Sequence, residues 1–211
     1  GQIVGGSIKF KGQDLSSLNE AELRQIRGSE IAMIYQEPMA SLNPAMKIGK
    51  QLIEVPMIHE GLSEAEAWKV ARQVVEDVRL PDPDRILQAY PHQLSGGQQQ
   101  RIALARALVF EPELVLMDEP LGALDALTRE KMQSLILELW KKTGKTIIDI
   151  THSVEDALLL GERLFVMAPR PGRLFKEYNL PFAEQGIGAD LREIKQKAEF
   201  GEVREEILTM I

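Results

Sequence analysis

The sequence predicts an α/β fold, with a mostly parallel sheet core and a helical subdomain inserted into it. Two observations carry that expectation. Apolar runs of strand length, Ile31 to Tyr35 (IAMIY), Leu114 to Asp118 (LVLMD) and Thr146 to Thr151, alternate with longer stretches of helical period. Between the first two runs the character changes, as Pro38, Pro44, Pro56, Pro81, Pro83 and Pro91 punctuate helical segments.

Ser7 to Lys11 alternates like an edge strand, and Asn19 to Arg27 has the pattern of a short helix. IAMIY is a compact apolar run of strand length. The insertion, residues 37–93, contains the clearest helix: Ser63 and Glu66 match a capping box, and Ala67, Val70, Ala71, Val74 and Val78 form its expected buried stripe. A helix is expected over Gly97 to Phe110, followed by the buried parallel strand LVLMD. Thr128 to Lys142 places Met132, Leu135, Ile136, Leu139 and Trp140 on one helical face. Thr146 to Thr151 is the next strand, and Ser153 is placed to cap the helix after it. Arg163 to Ala168 and Arg173 to Tyr178 read as two further strands. The segment 179–211 is expected to be peripheral, with one charged helix from about Ala189 to Met210. There are no internal repeats.

A chain of 211 residues can bury one core. Net charge −7 argues against nucleic acid as a partner. The absence of cysteine excludes disulfides, thiolate metal sites and cysteine nucleophiles. No apolar run approaches the roughly 18 residues that span a bilayer. The first residue is Gly1 and no signal-peptide pattern follows, so the expectation is of a chain that begins inside a longer reading frame or after a processed leader.

Four elements occur in one order. Gln36 follows a strand; Leu94-Ser95-Gly96-Gly97-Gln98 opens a helix; Asp118-Glu119 ends an apolar strand; and His152 ends the next. With Leu124-Asp125 in LGALD, they resemble the Q-loop, signature motif, Walker B, D-loop and H-loop of the ABC ATPase family, and the resemblance covers essentially the whole chain. It implies a P-loop NTPase-like core, with ATP and Mg²⁺ as ligands. The residues have chemistry to match. Ser95, Gly96 and Gly97 at a helix start offer backbone N–H groups and the positive dipole end to an anion. The resemblance adds Gln98 and Asp125 to this nucleotide-binding set. Asp118 emerges at the carboxyl end of a strand, where it would hold the Mg²⁺ hydration shell, with Gln36 reaching metal or water through its amide. Glu119 would polarise the attacking water, and His152 would hydrogen-bond the γ-phosphate. Singly, each has a plainer reading as helix cap, acidic turn or structural histidine. His59 and His92 keep that plainer reading.

The phosphate-binding loop G-x-x-x-x-G-K-[ST] is not matched. Gly144-Lys145-Thr146 has Leu139 where the first glycine belongs, and it follows a helix and precedes a strand, the reverse of what such a loop needs. We read it as a helix stop. By the family pattern the loop would lie before Gly1, and GQIVGGSIKF reads like the strand after its helix. A naturally degenerate subunit is the rival reading. Without the loop, the chain alone is expected to bind nucleotide weakly, and missing N-terminal strands would leave apolar sheet surface exposed.

YQEPMASLNP, MIHEGLSEAEA and YPHQLSGGQQQR are similar to dipeptide and oligopeptide importer ATPases. From about Leu116, MDEPLGALDALTREKMQ, ITHSVEDALLLGERLFVMAPRPGR and FGEVREEIL are similar to nitrate, sulfonate and taurine importer ATPases. A recombinant origin is a further reading of that change. The shared implication is an importer's energy-coupling subunit, cytoplasmic and peripheral on the inner face of the cell membrane. Its implied partners are transmembrane permease subunits, a second ATP-binding subunit and, indirectly, an extracytoplasmic solute-binding protein. The alternatives are a non-catalytic ABC-like partner subunit and a non-transport ABC ATPase.

Overall fold

The computed structural model describes residues 5–37, 41–169 and 171–210. Pro38, Met39 and Ala40 of YQEPMASLNP, the first four residues of GQIVGGSIKF, and Arg170 lie outside the described residues.

The fold opens with β1 (Lys9–Phe10) and β2 (Gln13–Asp14), an antiparallel pair. The edge strand expected over Ser7 to Lys11 is thus cut to two residues. Lys11 and Gly12 both have positive φ (51° and 82°), the pattern of a tight two-residue hairpin turn, so the chain reverses where alternation alone would continue the strand. Helix α1 (Glu20–Ile26) follows, with Asn19 and Glu22 in a reciprocal capping box.

Three parallel strands form the central sheet: β3 (Ile31–Ile34), β4 (Leu114–Asp118) and β5 (Thr146–Ile150), in that spatial order. Ile34 is level with Met117, and Asp118 with Ile150. Between β3 and β4 come α2 (Ile48–His59), α3 (Glu64–Asp77), α4 (Pro83–Gln88) and α5 (Gly96–Leu108). The Ser63–Glu66 capping box is present on α3. Its buried line is Ala67, Ala71, Val75 and Val78, with Val70 and Val74 half-buried beside it. The stripe therefore runs one position round from the expected one at Val75. These residues join Leu52, Ile86, Ile34, Val115, Met117 and Leu135 in one contiguous apolar cluster, so the helical layer and the sheet share a core.

Helix α6 (Ala126–Thr143) crosses from β4 to β5. It stops at Gly144, whose φ of 63° lets its N–H reach the Trp140 carbonyl. Lys145 then donates to the Glu111 carbonyl at 2.8 Å, so Gly144-Lys145-Thr146 is the helix stop that its surroundings implied. After α7 (Val154–Leu160), β6 (Arg163–Ala168) and β7 (Arg173–Asn179) pair antiparallel.

The single helix expected from Ala189 to Met210 is instead two, α9 (Leu191–Lys195) and α10 (Ala198–Leu208), preceded by α8 (Phe182–Gly186). The chain turns extended at Lys197 (ψ 138°). This break lets Leu191 and Ile194 from one helix, and Phe200 and Ile207 from the other, enter the same buried cluster with Leu158, Leu159 and Phe182. A straight helix would carry part of that apolar surface away into water. Phe182 and Phe200 meet edge to face with centroids 5.0 Å apart.

One face of the central sheet is open. Met33, Ile148 and Ile150 are 43%, 49% and 60% exposed. On the opposite face, Asp149 lies level with buried Met117. Strand β5 thus turns Ile148 and Ile150 outward and sets Asp149 inward beside Ile147.

Candidate functional site

The carboxyl edge of the three parallel strands gathers Gln36, Asp118, Glu119 and His152. Gln36 lies two residues beyond the end of β3, Asp118 closes β4, and His152 lies two residues beyond β5. Because Ile34 pairs with Met117 and Asp118 with Ile150, the parallel register brings these positions to one rim.

Glu119 is held from three sides. Its backbone N–H donates to the Ile150 carbonyl at 2.8 Å, and its own carbonyl accepts from Gly122 at 3.1 Å. Its Oε1 accepts the backbone N–H of His152 at 2.7 Å. The His152 Nε2 stands 3.6 Å from the same oxygen, with a side chain 97% exposed against 15% for Glu119. Glu119 also adopts φ 48°, a left-handed conformation that costs a non-glycine residue about 1–2 kcal/mol. The charge-assisted bond to His152 and the two backbone bonds offset that strain. The result fixes one carboxylate beneath an imidazole that projects into solvent.

Ser95, Gly96, Gly97 and Gln98 open α5. Ser95 Oγ accepts the Gln98 N–H at 3.4 Å and Gln98 Oε1 accepts the Ser95 N–H at 2.9 Å, so the plain helix-cap reading holds at this site. Ser95 and Gly96 are nonetheless exposed. Gly97 is a close approach: a Cβ there would stand 2.8 Å from Thr128 Cγ2. Thr128 belongs to the first turn of α6, capped by Asp125, whose Oδ1 accepts the Thr128 N–H at 3.0 Å. The Thr128 hydroxyl and amide hold the Asp125 carboxyl below the usual carboxylate range. Two helix starts, one with small residues and one with a carboxylate, therefore meet through Gly97 and Thr128.

His59 and His92 do not join the site. His59 packs edge to face on Phe110 and His92 stacks on Tyr90.

Several contributors carry no mark in the motifs. Gln100 is 3% exposed and donates to the Pro120 carbonyl, tying α5 to the turn after Glu119. Gln133 and Asp156 are buried and bonded to each other between α6 and α7. Both Asp149 carboxylate oxygens are buried, with no hydrogen-bond partner among the described residues. Burial first, then the neighbouring carboxylates of Asp156 and Glu119, pushes Asp149 up to about 7. An acid inside the apolar run TIIDI was the available signal for Asp149; nothing local marks Gln100 or Gln133.

Among the described residues no group of three or more acids, histidines or cysteines is gathered to hold a metal ion. A divalent cation at this rim would rest on the Asp118 carboxylate and the Gln36 amide, together with water and phosphate oxygens. That donor set suits Mg²⁺, which keeps its waters and leans on substrate phosphates.

A parallel sheet whose carboxyl rim carries this glutamine, acid pair and histidine, with an LSGGQ helix start packed on the next helix start, defines an ATP-binding cassette. The chain belongs to the ABC transporter family, which matches residues 2–122. It is similar to the taurine import ATP-binding protein TauB of Pelagibacter ubique, 66% identical over 150 residues, covering 71% of this chain and 57% of that protein. It is also similar to the oligopeptide transport ATP-binding protein OppD of Salmonella typhimurium, 39% identical over 164 residues, covering 78% of this chain and 49% of that one. Among solved structures it resembles the dimeric post-hydrolysis state of the cassette MJ0796 bound to ADP and Pi. There the TM-score is 0.72 at 32% identity, covering 84% of this chain and 74% of the other. An aligned stretch of 150 residues in a chain of 211 necessarily includes residues 62–150, and one of 164 includes 48–164, so both importer likenesses run across Leu116. The chain spans 57% and 49% of the lengths of these two curated relatives.

Proposed function

We propose that this chain is an ATP-binding and ATP-hydrolysing component of an importer, coupling hydrolysis to solute uptake through membrane-spanning permease subunits. The observation that carries the reading is the convergence of Gln36, Asp118, Glu119 and His152 on one rim, with Glu119 bonded to the His152 amide at 2.7 Å. Phosphoryl transfer is mostly positioning and charge neutralisation, and this rim can do both. Glu119 accepts a proton from, or orients, the attacking water. The exposed His152 ring hydrogen-bonds the γ-phosphate. Asp118 and Gln36 would hold Mg²⁺, which would supply positive charge beside the phosphates. Ser95, Gly96 and Asp125 are exposed and meet a nucleotide carried by a second subunit, with Gly97 and Gln98 completing the same helix start.

No helix among the described residues is long and apolar enough to cross a membrane, so attachment to the inner face of the membrane would come through the permease. A small sulfonate is favoured over a peptide as solute, because identity to the taurine import relative is 66% against 39% for the oligopeptide relative.

The 211 residues contain no phosphate-binding loop, so the reading requires nucleotide held by a loop outside them. The test pairs this chain with a cassette subunit that carries its own phosphate loop and follows Mg·ATP hydrolysis. Ser95→Arg in this chain should lower the pair-dependent rate by about two orders of magnitude, as removal of a phosphate-facing donor does. A rate indifferent to that substitution sinks the proposal.

A further inference from the structure

The contact between α6 and α7 contains a feature that apolar packing does not require. Gln133, 1% exposed, donates through Nε2 to Asp156 Oδ1, and Asp156 is 3% exposed. The second Asp156 oxygen stands 4.0 Å from the Arg129 guanidinium, one helical turn nearer the start of α6. Burying a carboxylate between helices is costly unless it is bonded, so the arrangement contributes geometry rather than net stability. Leu158 and Leu159, fully buried on the same short helix, hold α7 against its neighbours without direction.

The direction matters because His152 lies four residues before Asp156. The Asp156 backbone N–H donates to Ser153 Oγ at 3.2 Å, and the Ser153 N–H donates to Thr151 Oγ1 at 3.0 Å. Between Thr151 and Ser153 sits His152, whose N–H meets Glu119. The other end of the tie leads along α6 to Asp125, which caps it. We propose that Asp156 is a positioning residue: bonded to Gln133, it locks α7 to α6 and thereby sets the His152 loop against Glu119. The importance of that setting rests on the hydrolytic reading above; the geometry itself does not.

The test is amide hydrogen exchange by NMR on the full 211-residue chain without nucleotide. Asp156→Ala should speed exchange of the His152 amide by about tenfold or more, leaving the Val115 and Leu135 amides within about twofold. Asp156→Asn, which keeps an acceptor for Gln133, and the exchanged pair Gln133→Glu with Asp156→Asn should both hold His152 within about threefold of the parent. Unchanged His152 exchange in Asp156→Ala overturns the proposal. So does equal acceleration at Val115 and Leu135, which would mark a general loosening. If His152 responds as expected in a chain that fails the paired hydrolysis assay, the positioning role stands and only the proposed function falls.

Discussion

Glu119 and His152 meet through backbone and side chain at once: the His152 amide donates to Glu119 Oε1 at 2.7 Å, and the ring Nε2 stands 3.6 Å from the same oxygen. One carboxylate therefore fixes the loop that carries the imidazole, and the two groups cannot shift independently. Glu119→Gln keeps the shape and one acceptor for the His152 amide but cannot take a proton. With a phosphate-binding loop joined ahead of Gly1, so that nucleotide sits at this chain's own rim, paired hydrolysis should fall by about 100-fold or more while the melting temperature moves by no more than about 2 °C. Phosphate release and thermal unfolding read the two effects separately; a retained rate removes Glu119 from the chemistry.

Asp149 makes a pH prediction of unusual sign. Its carboxyl is raised from 3.8 to about 7, first by burial and then by Asp156 and Glu119. The folded chain thus keeps this proton up to about pH 7, whereas the unfolded chain releases it near pH 4. Between those values the native state binds more protons, so this group's contribution to stability falls as pH rises, by at most about 1.4 kcal/mol per unit. Asp149→Asn removes the dependence. It should melt several degrees above the parent at pH 8, with the gap closing towards pH 5. A constant gap across that range would show that Asp149 does not hold its proton.

Gly97 sets two opposed effects against each other. Alanine is favoured over glycine inside a helix by about 1 kcal/mol, but its Cβ would stand 2.8 Å from Thr128 Cγ2. Thr128 is held by its bonds to Asp125, so the methyl cannot swing aside freely. Gly97→Ala should lose about 1 kcal/mol, since overpacking wins. In a Thr128→Ser background, where that methyl is gone and the hydroxyl stays, Gly97→Ala should instead be neutral or stabilising. Denaturant unfolding of the four proteins in the cycle decides it.

Phe200 is fully buried and meets Phe182 edge to face. Phe200→Ala should cost about 3–5 kcal/mol and make the segment 180–210 the first site of limited proteolysis. Unchanged cleavage and melting would mean that α8 to α10 do not depend on this cluster.

Much of the site was legible because it is local. Ser95, Asp125 and Ser153 are helix starts, written in residue types that satisfy the free N–H groups of a first turn. LVLMD and IAMIY announce strands, and a parallel sheet brings the residues just beyond such strands to one rim. Gly144 needs no partner to end a helix.

The rest depended on contacts between distant segments. The break at Lys197 serves a cluster shared with Leu158 and Phe182, which no periodicity within 189–210 contains. The hairpin at Lys11 and Gly12 replaced a strand because alternation alone does not say where the backbone reverses. Sequence by itself determined the family, the order of the strands' chemical ends and the residues that cap the helices, since those arise from pattern along the chain. Only the tertiary structure decided that Asp149 faces inward, that Glu119 takes a left-handed conformation under His152, and that Gln133 reaches Asp156. Those outcomes are set by which surfaces pack together and by the hydrogen bonds left over once they have packed.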